Sequence, residues 1–363
     1  MQKLIPDYID ISEWNKIPYS STGGTRAKNI YVFPKDGKEY FFKGSKKLKD
    51  GSFKYRTEFW SEIVSSKIGQ MLGFNLLDYN IGFDINDEQQ IGCLSKSMVE
   101  HSENKLSEGV EFLRGFDSKY NPKINEDRYT LDFIKKTLNF FELSEFEPQF
   151  VQMLVFDLII GNSDRHQENW GFISKFKEAI QQIDDEIVTT KGFLSKINLK
   201  FIKLLAKGTL EQRELMRQKN VSPSKILLKT QSKIVETVFS PIYDSGCCLG
   251  RELEDDRIKQ MLKNPQMISA YIDRGRSEVR YLQGGKPKHF EFIQELQKEY
   301  PNVFKDIIKT IKTNFYKENI KTLILDIDQK LPTELSHFSL PEHRKLLMHK
   351  LVTLRTEKLL QII

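Results

Sequence analysis

The sequence predicts an α+β fold in two lobes, a small β-rich lobe at the N-terminal end and a larger helical lobe after it. Three observations carry this. Runs of β-branched and aromatic residues cluster before residue 100, helical spacing dominates after it, and 363 residues exceed what one small core organises.

Residues 28–45, KNIYVFPKDGKEYFFKGS, predict a hairpin: NIYVF and EYFFK flank the turn signal PKDG. A helix is expected over 54–72, where Phe59, Ile63, Ile68 and Leu72 lie near one face and Gly73 supplies a stop. The segments 74–85 and 90–99 predict two further strands, so the first lobe, residues 1–100, reads strand, strand, helix, strand, strand. In residues 101–363, helical spacing runs over 130–143, 148–160, 256–264, 288–299, 303–314 and 341–362. For the last of these Ser339 is the expected N-cap, with Pro341 in the first turn and Leu347, Leu351 and Leu354 along one stripe. Between 174 and 236 lies a polar, lysine-rich stretch with three short helical patterns and no strand signal.

Hydrophobic content of 39%, charged content of 29% and a net charge of +6 with a pI near 8.9 describe an ordinary soluble chain of mild basicity. The basic residues are spread thinly, and no helix-turn-helix signature accompanies them, so nucleic-acid binding is not expected. Cys93 and the adjacent Cys247 and Cys248 form neither a CxxC nor a Cys/His cluster, so neither a disulfide framework nor a zinc site is indicated. The N-terminal MQKLIPDYIDISEW lacks the apolar stretch of a signal peptide, and no run approaches the roughly 20 apolar residues that span a bilayer. The expectation is a cytoplasmic protein, or an effector translocated without a signal peptide, with no membrane contact.

The densest chemistry lies in GNSDRHQENWGF, residues 161–172, directly after the apolar run FVQMLVFDLII. Asp164 and Asn169 are five apart, the spacing of base and metal-binding amide in a kinase catalytic loop. Phosphoryl transfer needs such a pair, because the catalyst mainly positions groups and neutralises charge. Taken alone the spacing is common, so the other parts decide. Lys43 ends the strand EYFFK, where a kinase carries its phosphate-contacting lysine, and Glu58 and Glu62 share a helix face from which either can pair with it. YSSTGGTRAKN, residues 19–29, can present backbone N–H groups to phosphates, although it fits neither GxGxxG nor the Walker pattern. No DFG supplies the metal aspartate. Asp184 follows Asn169 by 15 residues but sits in a helical pattern, whereas Asp244 in VFSPIYDSGCCLG has the rigid setting a metal carboxylate needs. Small β lobe, larger helical lobe and these parts in order trace the outline of a protein-kinase-like fold.

These residues resemble the HipA-like kinases, bacterial serine/threonine kinases related in fold to the lipid kinases. The family's N-x-D-x-H-x-x-N segment matches Asn162, Asp164, His166 and Asn169, and its P-[LI]-[YF]-D segment matches Pro241 to Asp244. The resemblance implies Asp164 and His166 as catalytic residues, Asn169 and Asp244 as Mg²⁺ ligands, and Asp184 excluded. It places Ser21, Gly23, Gly24 and Lys28 in the phosphate loop, Lys43 on the strand, and Glu62, counted back from Gly73, as its partner. The expected ATP-binding set also includes Met98 and Glu100. Autophosphorylation is implied at Ser21, with Ser20 beside it. HipA itself begins with an extra β-rich subdomain; here the loop starts by residue 20, so a short form is expected. The resemblance covers residues 19–173 and 236–290. It implies ATP and Mg²⁺ as cofactors and a protein substrate, for which a translation component acted on by the toxin of a toxin–antitoxin pair is one setting and a host protein another. The partners that follow are an antitoxin or a small accessory protein. Two other readings remain: a pseudokinase acting through 174–236 as a binding module, and a kinase for a lipid or small-molecule hydroxyl.

Overall fold

A computed structural model of the chain describes residues 4–17, 29–100, 102–219 and 221–363. Its first lobe is a six-stranded sheet: β1 (Tyr8–Asp10), β2 (Asn15–Ile17), β3 (Asn29–Val32), β4 (Glu39–Gly44), β5 (Asn80–Phe83) and β6 (Ile91–Lys96), in spatial order β1-β5-β6-β4-β3-β2. The expected hairpin is β3–β4, antiparallel with Tyr31 opposite Tyr40 and Gly37 at φ +69° in its turn. β1 pairs with β5 in parallel, and β2 edges β3. Both are three residues long, too short to show a period-2 pattern in the sequence.

The strand expected over 74–85 is confined to β5. Its first residues are diverted to the other lobe: Leu77 N–H donates to the Ile242 carbonyl at 3.0 Å, and Ile242 N–H to that of Asn75 at 2.9 Å. Helix α1 (Glu58–Leu72) starts four residues after the expected 54 and ends at Gly73, whose φ of +90° only glycine adopts at little cost. Its burial is not a stripe: Phe59, Trp60, Ile63, Val64, Ile68 and Leu72 are buried all round it, because the sheet covers one side and the second lobe the other.

The second lobe holds α2 (Gly109–Phe116), α3 (Leu131–Phe140), α4 (Glu147–Ile160), α5 (Phe176–Thr189), α6 (Phe193–Gln218), α7 (Lys225–Ile234), α8 (Asp255–Lys263), α9 (Pro265–Arg274), α10 (His289–Glu299), α11 (Pro301–Asn314), α12 (Lys317–Leu325) and α13 (Glu342–Ile362). It also holds a three-stranded antiparallel sheet that the sequence did not predict, β7 (Lys105–Glu108), β8 (Gly171–Ser174) and β9 (Thr237–Phe239) in the order β7-β8-β9. Within 174–236, α6 runs 26 residues rather than one short pattern. Two details of α13 correct the expectation. The helix starts at Glu342 with Pro341 at the cap position and no side-chain cap, because Pro341 holds φ −57° and ψ 140°; Ser339 closes the preceding 3₁₀ turn through Ser336. Leu354 is exposed, and the buried face is carried by Leu347, Met348, Leu351, Val352 and Leu359.

Candidate active site

Construction begins in α4. Its one acid in an otherwise apolar interior is Asp157, buried and therefore in need of partners. Gly161, left-handed at φ +69°, ends the helix and turns the chain back over it, so that Asn162 donates to Asp157 at 2.9 Å. Arg165, also buried, forks onto both Asp157 oxygens at 2.9 and 2.8 Å. The same guanidinium donates to the carbonyls of Asn169 (2.7 Å) and Tyr243 (2.6 Å) and to Ser245 Oγ (2.9 Å). One cation thus joins the loop 162–170 to the segment carrying Asp244. Burial works against this cation, but Asp157 and then Asp244 raise its pKa further above an already basic value.

On that scaffold Asp164 and Asn169 face each other. Asn169 Nδ2 donates to the Asp164 carbonyl at 2.8 Å and approaches His166 Nε2 at 3.2 Å, and its Oδ1 has no hydrogen bond among the described residues. His166 Nδ1 contacts Glu168 Oε2 at 2.7 Å. Burial disfavours the imidazolium, yet Glu168, Asp164 and Asp244 together raise the His166 pKa. Burial pushes the Glu168 carboxyl up, but His166, a backbone hydrogen bond and Arg114 together bring it below the ordinary carboxylate value. Cys247 donates its thiol hydrogen to Asp164 Oδ2 at 2.9 Å, and Arg251 donates to Cys247 Sγ at 3.0 Å while ion-pairing with Glu58. A chain Glu58–Arg251–Cys247–Asp164 therefore runs from α1 to the loop.

Asp244 sits at φ +53°, an unusual backbone state for a residue with a side chain. Lys43 Nζ reaches across the lobes to Asp244 Oδ1 (2.5 Å) while donating to Glu62 Oε1 (2.8 Å), and Glu62 Oε2 accepts from Ser245 N–H at 2.9 Å. Of the two glutamates open at the sequence level, Glu62 meets Lys43 and Glu58 meets Arg251. Asp184 lies on α5, paired with Lys203, away from this group. Met98 is half-buried in the bend after β6, and Glu100 is exposed and paired with Lys38. Ser20, Ser21, Gly23, Gly24 and Lys28 lie outside the described residues.

Several residues of this site went unremarked in the sequence: Asp157, Arg165, Glu168, Cys247 and Arg251. Only Asp157 carried a signal, since an acid inside FVQMLVFDLII demands a buried cation and Arg165 follows it eight residues later. As a donor set, Asp244 and the Asn169 amide oxygen are hard oxygens, few in number. That suits Mg²⁺, which takes one or two protein ligands and completes its shell with phosphate and water.

No protein-family profile matches this chain, and no curated protein matches it. Among solved structures, it is similar to a Helicobacter pylori proinflammatory kinase, CtkA, with a TM-score of 0.64 and 18% identity over 98% of this chain and 96% of that one. The likeness is one of fold: a curled sheet lobe and a mostly helical lobe in the bilobal, kinase-like arrangement.

Proposed function

We propose that the chain is an ATP- and Mg²⁺-dependent serine/threonine protein kinase of HipA-like type. The observation that carries this reading is Lys43, held by Glu62 on α1 and reaching Asp244, while Arg165 binds the Asn169 and Tyr243 carbonyls together. Few structural arrangements outside phosphoryl transfer need a strand lysine, a helix glutamate and two oxygen donors at one cleft. Asp164 would accept the proton of an acceptor hydroxyl, and its carbonyl, which accepts from the Asn169 amide, would leave Oδ1 to a cation. Asn169 and Asp244 would hold Mg²⁺, which when bound neutralises charge on the triphosphate. Lys43, released from Asp244, would turn to phosphate oxygens with Glu62 keeping its position. His166, backed by Glu168, steadies the loop beside the base.

The reading extends to Ser20 and Ser21 as autophosphorylation sites, to a protein substrate, and to a toxin–antitoxin or effector setting. Intact-mass and peptide mass spectrometry of the purified protein, before and after Mg-ATP, tests it beside Asp164→Ala. A phosphate gained only by the wild type, and only with Mg²⁺, is expected. Equal phosphate on the variant removes Asp164 as base; no transfer to itself or to a generic serine/threonine substrate overturns the kinase reading.

A further inference from the structure

Helix α6 is anchored at one end and bare at the other. Its buried residues, Ala206, Thr209 and Arg213, all lie in the C-terminal half. There Arg213 bonds the Leu106 carbonyl, Ser107 and Glu111, and Glu214 pairs with Lys105. Toward the N-terminal end the helix leans on α5, and its outer face is apolar. Phe193 (77% exposed), Ile197 (49%), Phe201 (56%) and Leu204 (67%) stand at i, i+4, i+8 and i+11, on one side of the helix. Val188 and Leu194, each 80% exposed, extend the face around the α5–α6 turn.

Charge accompanies this face. Residues 191–210, KGFLSKINLKFIKLLAKGTL, contain five lysines and no acid. Lys203 pairs with Asp184, but Lys191, Lys196, Lys200 and Lys207 have no ion-pair partner among the described residues. At 100° per residue, Lys196, Lys200 and Lys207 fall along one border of the apolar stripe. An apolar ridge of this size, bordered by one sign of charge, is what a surface-seeking amphipathic helix presents. The lysine border is complementary to the phosphates of an anionic lipid surface, and a fluid interface closes around a single helix face. Long lysine stems also let the ammonium groups reach phosphate level while the stripe sinks below it.

We propose that the α5–α6 tip, residues 188–207, docks on the surface of a bilayer that contains anionic phospholipid. Phe193, Ile197, Phe201 and Leu204 enter the headgroup boundary, and Lys196, Lys200 and Lys207 meet the lipid phosphates. The sequence-level expectation of no membrane contact rested on the lack of a spanning run; this face lies in the stretch read there as merely polar and lysine-rich. The proposal does not depend on the kinase reading, because lipid binding is measured without a phosphate donor.

The experiment is flotation of the full chain with vesicles of phosphatidylcholine alone and of phosphatidylcholine containing about one-third phosphatidylserine. Two double variants accompany the wild type, Phe201→Ser with Leu204→Ser and Lys200→Glu with Lys207→Glu. All four positions are exposed, so unchanged circular-dichroism melts are expected to show that both variants fold. The wild type is expected to float only with the anionic vesicles, less at high salt, and each variant to bind at least about tenfold more weakly. Absence of wild-type flotation overturns the proposal, as does binding that survives both variants. If the wild type instead self-associates in sedimentation and the variants stay monomeric, the face belongs to a second copy and the lipid assignment fails.

Discussion

Cys247 touches Asp164, the proposed base, and a sequence motif would pass over it. Its thiol donates to Asp164 Oδ2 and receives from Arg251, so the carboxylate is aimed by a contact that chemistry does not consume. A hydrogen bond of this kind contributes about 0.5–1.5 kcal/mol. Cys247→Ala is therefore expected to lower kcat by about 2–10-fold with KM for ATP little changed, and Cys247→Ser, which keeps a donor, to restore most of it; steady-state kinetics on all three proteins decides. A second residue-scale effect belongs to His289, buried against Arg355 with Nε2 at 2.9 Å from the Asn162 carbonyl. Burial, then the Arg355 charge, lowers its pKa to about 3. The unfolded chain binds that proton below about pH 6.5 and the folded chain does not, so this group's contribution is complete above pH 6.5 and falls with pH from there toward 3. Between pH 7 and pH 5 the loss is about 2 kcal/mol. His166 acts in the opposite sense, because its pKa is raised: its contribution is full below about pH 6.5 and is lost as pH rises through the folded value. Urea denaturation at both pH values isolates His289 by comparison with His289→Gln, which should lack that loss. An equal loss in the variant would assign the pH dependence elsewhere.

Helix α4 sets the geometry of the loop through the way it stops. Gly161 is left-handed, and a Cβ placed there would lie 2.9 Å from Arg355 Cζ, whose guanidinium is buried and bonded to the Leu158 carbonyl at 3.1 Å. Gly161→Ala combines backbone strain with a close contact against the buried Arg355 guanidinium, and should cost about 2–4 kcal/mol. Gly208, in α6 with open space around it, is the control: Gly208→Ala should stabilise by about 0.5–1 kcal/mol. Thermal or urea denaturation of the two variants reads both signs. The same elements show what the sequence made legible. A D-x₄-N pair after an apolar helix, and a lysine at the end of an aromatic strand, are local patterns that pointed to loop 161–172 and to Lys43. The β7-β8-β9 sheet was not local: its strands are three or four residues long, and β8 and β9 are separated by residues 175–236. Arg165 was hidden for a related reason. A cation in a polar turn looks solvated until the fold brings Asp157, Tyr243 and Ser245 around it.

At the scale of the whole molecule, the two lobes meet through charge and backbone together. Lys43–Asp244 and Glu58–Arg251 cross the cleft from the sheet and α1, and the Leu76–Ile242 bridge ties the chain beside α1 to the segment that carries Asp244. The first of these contacts engages the same two groups that a magnesium nucleotide would need, Lys43 for phosphate and Asp244 for the cation. Binding must therefore exchange one ion pair for two new contacts, and neither half of the ligand should do this well alone. Nucleotide without Mg²⁺ would take Lys43 from Asp244 and leave that carboxylate facing phosphate charge, while Mg²⁺ alone would take Asp244 from Lys43 with no phosphate to replace it. A non-hydrolysable ATP analogue with Mg²⁺ at 100 times its Kd should stabilise the protein by about 2.7 kcal/mol, a Tm rise of a few degrees for a chain of this size. The analogue without Mg²⁺ should give well under half of that. In Asp244→Asn the repulsion is gone and so is the anionic ligand, so the difference between the two conditions should shrink toward zero. Differential scanning fluorimetry across the four combinations is sufficient. If the variant keeps the full magnesium-dependent shift, the cation is held elsewhere and the cleft is not organised around the Lys43–Asp244 exchange.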